Sequence, residues 1–252
     1  MMPAQENNSN LLSGHMKYVT RFRGEVDGEG YPEASMVAKC VLDIVRPQLD
    51  NSRHLDIGCW TGGFFSLCQS VTKMSIGLDV QFPPLSVAKK YNSKGRFICA
   101  SVFLLPFKNS SFNIITLSEV IEHLPVNSEV NALREACRVL SCNGKLFLTT
   151  PNMNPLGFWG DPAYFFLGHR HYSLGKLKKI LESAGFKIIS MRNCGGFFQL
   201  LNGILALLYK HLLKKKFITF ACLNDLIKKE FYHNGKSWWT STKIVILAEK
   251  IK

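Results

Sequence analysis

Three groups of residues in this chain have types and spacing suited to chemistry. The first is Leu55-Asp56-Ile57-Gly58-Cys59-Trp60-Thr61-Gly62-Gly63-Phe64, an apolar run that ends in a glycine-rich turn. Glycines at such a turn let the backbone coil tightly and approach a ligand closely. Their positions, 58, 62 and 63, do not fit the dinucleotide fingerprint G-x-G-x-x-G. The second is Asp79, which closes the run Ser-Ile-Gly-Leu-Asp 21 residues after Gly58. An acid about 20 positions after such a turn, at the tip of a second strand, is where a ribose diol is gripped. One carboxylate can accept both hydroxyls. The third is Glu119, Glu122 and His123, with His169 and His171 downstream. On a helical turn the i, i+3, i+4 spacing shares one face. Such a set could bind or deprotonate an acceptor, which is the favoured reading. It could instead hold magnesium, or zinc through the imidazoles, so metal ligation stays unknown. Helix capping, or for His123 a buried ring satisfied by backbone, are the plain structural alternatives.

Positioning these groups needs strands that end where the chemistry starts. Short apolar runs at 54–57, 75–80, 96–100, 112–117, 145–150, 186–190 and 243–248 read as seven strands. Helical spacing appears over 32–49, 64–71, 84–91, 128–140 and 173–184, the last with Ser173 as N-cap and Gly185 at its end. Continuous apolar strands alternating with helices predict an α/β fold, a Rossmann-like doubly wound parallel-rich sheet covered on both faces. About fifty residues separate strands six and seven, too many for a plain connection. The expected organisation is a loose arm over 1–30 and one domain over 31–252, with a helical insertion at about 195–240 before the last strand.

Composition bounds the class. The 252 residues are 46% hydrophobic and 19% charged, which excludes disordered and low-complexity chains. The eight cysteines include no C-x-x-C pair, and several sit in apolar runs, so reduced thiols in the cytoplasm are expected. No apolar stretch reaches spanning length, and the polar first ten residues do not resemble a secretory signal. The net charge of +13 is unevenly placed. Residues 1–169 hold 15 basic and 14 acidic side chains, whereas residues 170–252 hold 16 basic and four acidic. The last third therefore suits an anionic partner such as a phospholipid surface, a nucleic acid or an acidic substrate, unless it is a solvated face.

In order along the chain, L-D-I-G-C-W-T-G-G-F, I-G-L-D-V, A-S-V-F-L-L-P-F, F-N-I-I-T-L-S-E-V-I-E-H-L and R-V-L-S-C-N-G-K-L-F-L-T-T-P-N resemble five motifs of the class I S-adenosylmethionine-dependent methyltransferases. The resemblance covers about residues 50–190 and the last strand. It implies S-adenosyl-L-methionine as cofactor. It implies that Asp56, Gly58, Cys59, Trp60 and Gly62 surround its methionine part. Asp79 would hold the ribose, with Val80 beside the adenine and Ser101 and Val102 lining it. Ser118 and Glu119 would flank the sulfonium, and Glu119, His123 and His171 would serve the acceptor. Two positions depart from the family: its middle glycine is Trp60, and its usual aspartate in the third motif is Ser101. The N/D-P-P-Y signature of base-methylating members is replaced by Leu117-Ser118-Glu119-Val120.

The expected reaction is O- or C-methylation of a small or lipid-like molecule. E-x-x-E-H also resembles the metal site of small-RNA 2′-O-methyltransferases and of some quinone-precursor O-methyltransferases, so RNA ribose 2′-O-methylation is the first alternative reaction. A non-catalytic cofactor-binding module is the alternative outside enzymes. Phe197–Leu213 reads as an almost wholly apolar helix with one narrow polar stripe through Gln199, Asn202, Gly203, Ala206, Lys210 and Lys214. It suits either an anionic membrane interface or a lid over the acceptor pocket. Phe231, Tyr232, Trp238 and Trp239 add aromatic bulk near Lys236 and Lys243.

Overall fold

The computed structural model describes residues 36–155, 157, 169–212, 214, 219–233 and 241–251. The expected arm over 1–30, Lys215, Lys216, Lys236, Trp238 and Trp239 lie outside them.

Helix α1 (Met36–Leu49) comes first and buries Cys40, Val41, Val45 and Leu49, one face at helical spacing. Full burial of such side chains contributes roughly 1.5–3 kcal/mol each. Then follow β1 (Arg53–Ile57), α2 (Gly63–Gln69), β2 (Met74–Asp79), α3 (Phe82–Tyr91), β3 (Arg96–Cys99) and β4 (Phe112–Ser118). A single 3-10 turn over Ile121–His123 leads to α4 (Glu129–Val139) and β5 (Leu140–Pro151). The chain ends with α5 (Leu174–Ser183), β6 (Phe186–Cys194), α6 (Phe197–Leu212), α7 (Ala221–His233) and β7 (Lys243–Lys250).

The seven strands form one sheet in the order β3-β2-β1-β4-β5-β7-β6. The pairs from β3 to β5 are parallel, and β7 runs antiparallel between β5 and β6. Strand order reverses between β1 and β4, and ligands of open α/β sheets bind at the carboxyl ends of the strands beside such a switch point. Alternation puts Leu55, Ile57, Ile115, Leu117, Leu146 and Leu148 on the face covered by α4 and α5. Ile114, Phe147 and Val245 face α1, α2 and Phe231 of α7. His54, Asp56 and Thr116 alternate with that first set and so lie on the α1–α2 face.

Cys194, the last residue of β6, pairs with Lys243, the first of β7. The intervening segment thus leaves and re-enters at the carboxyl edge, which places α6 and α7 beside the site. Tyr232 of α7 donates to Asp43 of α1 at 2.6 Å. Glu230 of α7 accepts from the backbone N–H groups of Phe198 and Gln199, capping the first turn of α6.

Among the described residues no helix is long and apolar enough to cross a membrane. All eight cysteines are free thiols.

Candidate active site

The glycine turn takes its shape from three consecutive needs of the backbone. Gly58, Trp60 and Gly62 all have positive φ, at 74°, 48° and 81°. The N–H groups of Gly58 and Cys59 both donate to the Leu78 carbonyl, and Gly62 N–H donates to Cys59. A Cβ on Gly58 would lie 2.3 Å from Cγ2 of Val120. Glycine is therefore needed there on both conformational and steric grounds. The left-handed backbone at Trp60 explains the family's glycine at that position. Tryptophan adopts it here at a strain of about 1–2 kcal/mol, and its side chain is 38% exposed.

Asp79 ties the turn to β2. Its Oδ2 accepts from Trp60 N–H at 3.0 Å and its Oδ1 from Gln81 N–H at 2.9 Å. Burial raises its pKa, and these backbone donors oppose the rise. Each oxygen keeps a further lone pair for a hydroxyl, so shaping the turn and receiving a diol are compatible. Val80 follows, half-buried, and Val102 is buried. Ser101 Oγ accepts from Phe103 N–H.

Asp56 is buried beneath this turn. Its Oδ1 accepts from Thr116 Oγ1 at 2.7 Å. Its Oδ2 is also buried and has no hydrogen-bond partner among the described residues. Burial pushes the carboxyl up to about 7, the Thr116 hydroxyl opposes this, and Asp79 adds to it. An orphaned carboxylate oxygen, two left-handed glycines and an acid at the tip of β2 fit an S-adenosylmethionine molecule: a cation acceptor, a close backbone and a diol acceptor.

The tips of β4, β5 and β7 make the second half. Ser118 donates to Thr149 Oγ1 at 3.0 Å, because the Thr149 proton is committed to Glu119 Oε1 at 2.9 Å. Glu119 has φ 57° and donates its backbone N–H to the Thr149 carbonyl. Its Oε2 forms an ion pair with Lys243. Glu122 is wholly buried and accepts from Thr150 Oγ1. Burial first, then the charge of Glu119, raises its pKa well above the usual range, against the pull of Lys243.

The shared helical face expected for Glu119, Glu122 and His123 is not formed. The helix is a 3-10 turn confined to Ile121–His123, and Glu119 precedes it in a left-handed conformation. Glu119 faces Thr149 and Lys243, whereas the His123 ring packs edge-on against His169 with centroids 4.3 Å apart. Among the described residues no three His, Cys, Asp or Glu side chains are grouped to hold a metal ion. His171 is buried next to Arg170. Arg170 donates to the carbonyls of Ile121, Glu122 and Leu124 and pairs with Glu129, so it fastens the turn that carries His123.

Lys243, Thr149, Thr116, His54 and Arg170 carry this site and were not visible as site residues in the sequence. Lys243 read as the start of a strand, and only the pairing of β7 with β5 brings it to Glu119. His54 and Thr116 read as strand filler, although a buried His and Thr two residues from motif positions were a usable signal.

Comparison with known proteins agrees with this geometry. A family model described as "Methyltransferase domain" matches residues 55–148. Residues 55–148 thus match a methyltransferase domain, in agreement with the class I S-adenosylmethionine-dependent methyltransferase motifs that the sequence resembles. An uncharacterized protein of Methanocaldococcus jannaschii is 33% identical over 138 residues, 54% of this chain and 55% of that one. A ubiquinone biosynthesis O-methyltransferase of Pseudomonas putida is 29% identical over 120 residues, 45% of this chain and 50% of that one. The chain thus spans about half the length of the curated relatives it matches. A solved S-adenosylmethionine-dependent methyltransferase from Archaeoglobus fulgidus superposes with a TM-score of 0.61 at 19% identity, over 94% of this chain and 99% of that one. A Burkholderia thailandensis 1,6-didemethyltoxoflavin-N1-methyltransferase, solved with S-adenosylhomocysteine, superposes at 0.60 and 11% identity, over 100% of this chain and 92% of that one. These two likenesses show the fold.

Proposed function

We propose that this methyltransferase transfers a methyl group from S-adenosylmethionine to a small, lipid-like acceptor, on oxygen or carbon, at the cytoplasmic face of an anionic membrane. The observation that supports this most is the position of α6. Two residues of its polar stripe are held by partners from outside the helix: Gln199 accepts from Thr242 at 2.9 Å and Asn202 from Thr219 at 2.7 Å. Its opposite stripe, Phe197, Ile204 and Leu208, lies at one helical angle and is exposed, Phe197 by 55% and Leu208 by 46%. This apolar face starts at the carboxyl edge where Glu119 and Lys243 meet. Lys214, just past the end of α6, and Lys228 and Lys229 of the adjoining α7 are exposed. Apolar side chains flanked by lysines suit the headgroup boundary of an anionic bilayer.

Methyl transfer needs positioning more than a nucleophile, because the cofactor supplies an activated methyl group. In this reading Asp79 holds the ribose hydroxyls, and Gly58 and Gly62 let the backbone close on the amino-acid end. Val80, Ser101 and Val102 line the adenine. Lys243 pairs with Glu119 and fixes its position, and Glu119 takes the proton of an acceptor hydroxyl or acidic carbon. His123 and His171, on segments fastened by Arg170, orient the acceptor.

The test is incubation of the protein with methyl-labelled S-adenosylmethionine and a cell lysate, followed by separation into lipid, small-molecule, RNA and protein fractions. Label is expected in the lipid or small-molecule fraction and lost in Glu119→Gln. Label confined to RNA or protein overturns the acceptor class. No label in any fraction, with cofactor bound, makes the chain a non-catalytic module.

A further inference from the structure

Four side chains join Asp56 to the opposite end of the sheet. Thr116 Oγ1 lies 2.7 Å from Asp56 Oδ1, and His54 Nε2 lies 2.8 Å from Thr116 Oγ1. His54 Nδ1 lies 2.7 Å from Ser75 Oγ, and Ser75 Oγ lies 3.2 Å from Thr72 Oγ1. His54, Ser75, Thr116 and Asp56 are all buried. Thr72 is only half-buried and lines an open cleft of about 710 Å³ with Arg46, Asp50, Ser70 and Lys73. That cleft lies at the amino-terminal edge of β2, away from the glycine turn. The cross-strand registers His54↔Ser75 and Asp56↔Thr116 put every strand member of the chain on one sheet face. The line of hydroxyls and one imidazole is therefore continuous from solvent to the floor of the cofactor corner.

We propose that Thr72, Ser75, His54 and Thr116 are a proton relay that sets the charge of Asp56 and, through it, the affinity for S-adenosylmethionine. The inference rests on the cofactor reading above. His54, Thr116 and Ser75 are positioning residues that act through Asp56.

The proton count has two consistent states. With Asp56 charged, Thr116 donates to it, His54 Nε2–H donates to Thr116, Ser75 donates to His54 Nδ1, and Thr72 donates to Ser75. With Asp56 protonated, every bond reverses. Asp56 donates to Thr116, Thr116 to His54 Nε2, His54 Nδ1–H to Ser75, and Ser75 to Thr72. One proton has entered at the cleft, one has arrived on Asp56, and His54 has changed tautomer without becoming charged. Burial holds the imidazolium form of His54 down to about 3, which keeps the ring neutral throughout.

The ionisable groups that act on Asp56 come from each side. They are His54 on its own strand, Asp79 at the tip of β2, Cys59 in the glycine turn and Cys68 on α2, with the Thr116 hydroxyl from β4. Burial keeps the Cys59 and Cys68 thiols protonated. The ammonium at the amino-acid end of the cofactor favours the carboxylate form of Asp56.

The test uses the full chain with 15N-labelled histidine and no cofactor. Long-range proton–nitrogen spectra from pH 5 to 8 report the tautomer of each neutral ring, and His54→Gln assigns the His54 signals. The Nδ1–H form is expected at low pH and the Nε2–H form at high pH, with one midpoint. S-adenosylhomocysteine binding, measured separately, should tighten about tenfold per pH unit up to the same midpoint and then level off. Thr116→Val should lock the tautomer and move the binding midpoint upward, and Thr116→Ser should restore both. The wild-type titration stands even where a variant does not fold. A single His54 tautomer across the range, with binding still pH-dependent, overturns the relay and leaves the cofactor reading intact. No binding of S-adenosylhomocysteine at any pH overturns the cofactor reading, whatever His54 does.

Discussion

The two halves of the carboxyl edge are built on different principles. The cofactor corner, at the ends of β1 and β2, is made of backbone: left-handed glycines, N–H groups on Leu78 and Asp79, and short side chains. The half we assign to the acceptor, at the ends of β4, β5 and β7 with α6 beside it, is made of long charged side chains and exposed apolar ones. An invariant ligand can be met by fixed backbone, and a variable one is met by side chains that can be exchanged at small cost to the fold. If that is right, damage at the cofactor corner should cost both folding and binding. Damage at the acceptor half should change chemistry or location and leave the fold intact.

The sharpest break is Gly58→Val. A side chain there meets Val120 and must hold φ at 74°. Backbone strain of about 1–2 kcal/mol plus overpacking of about 1–3 kcal/mol predicts a clear fall in melting temperature. Cofactor binding by calorimetry should fall beyond detection. Adding Val120→Ala should recover part of the stability and little of the binding, since the strained turn remains.

Asp56→Asn separates binding from folding. The carboxyl titrates at about 7 in the folded protein against 3.8 in the reference state, so the folded chain binds more protons between those values. Stability from this group therefore falls as pH rises through that window, by up to about 4 kcal/mol. His54 works in the opposite sense. Its folded pKa of about 3 lies below the reference 6.5, so its contribution is present above 6.5 and is lost as pH falls. The two slopes oppose each other between about pH 4 and 6.5, and the wild type should be nearly flat there in denaturant titrations. Asp56→Asn removes one slope, so its stability should climb with pH across that window while cofactor affinity drops. A flat profile in the variant would contradict the burial of a neutral His54.

Asp79→Ala is the smaller break at this corner. Loss of hydrogen bonds to a charged acceptor predicts about 1–3 kcal/mol, or roughly 5- to 150-fold weaker cofactor binding. Because Trp60 and Gln81 N–H groups lose their acceptor as well, the melting temperature should fall with it. Unchanged affinity would remove Asp79 from the ribose.

This contrast also explains what could be read in advance. The seven strands, the helices over 36–49 and 174–183, the glycine turn and Asp79 are local patterns of periodicity and φ, and local patterns are written in consecutive residues. The ion pair of Glu119 with Lys243 joins positions 124 apart. The cap of α6 by Glu230 and the clamp of Arg170 on the turn are equally remote, and no spacing rule reaches them. Glu119, Glu122 and His123 misled because i, i+3, i+4 implies a shared face only in an α-helix. Here a left-handed residue and a 3-10 turn intervene. Of the polar stripe of α6, Gln199 and Asn202 take partners from Thr242 and Thr219, outside the helix, while Gly203 is exposed.

On the acceptor half, Lys243→Met should leave cofactor affinity near wild type. It removes the cation paired with Glu119 and the charge that opposes protonation of Glu122. The sign follows: without Lys243, which opposes the rise, Glu122 holds its proton to still higher pH. The acid limb of kcat should move upward, by about one pH unit for a lost partner worth about 1.4 kcal/mol. An unchanged profile, with label transfer intact, would place the reacting proton elsewhere.

The gentlest test concerns α6. Phe197→Ser and Leu208→Ser change exposed side chains, so the cofactor affinity and melting temperature should stay within error. Each removes apolar surface that would enter a bilayer boundary, and Lys214→Gln removes a charge contributing about 1 kcal/mol at an anionic surface. Binding to vesicles containing phosphatidylserine should weaken roughly fivefold for Lys214→Gln. The two serine variants should weaken binding to those vesicles as well, and high salt should abolish the lysine effect but not the effect of Phe197→Ser. If all three variants bind vesicles like the wild type while Phe197→Ser raises KM for a soluble acceptor, α6 is a wall of the acceptor pocket. The apolar stripe would then face substrate instead of lipid, and the acceptor half would differ from the cofactor half in specificity alone.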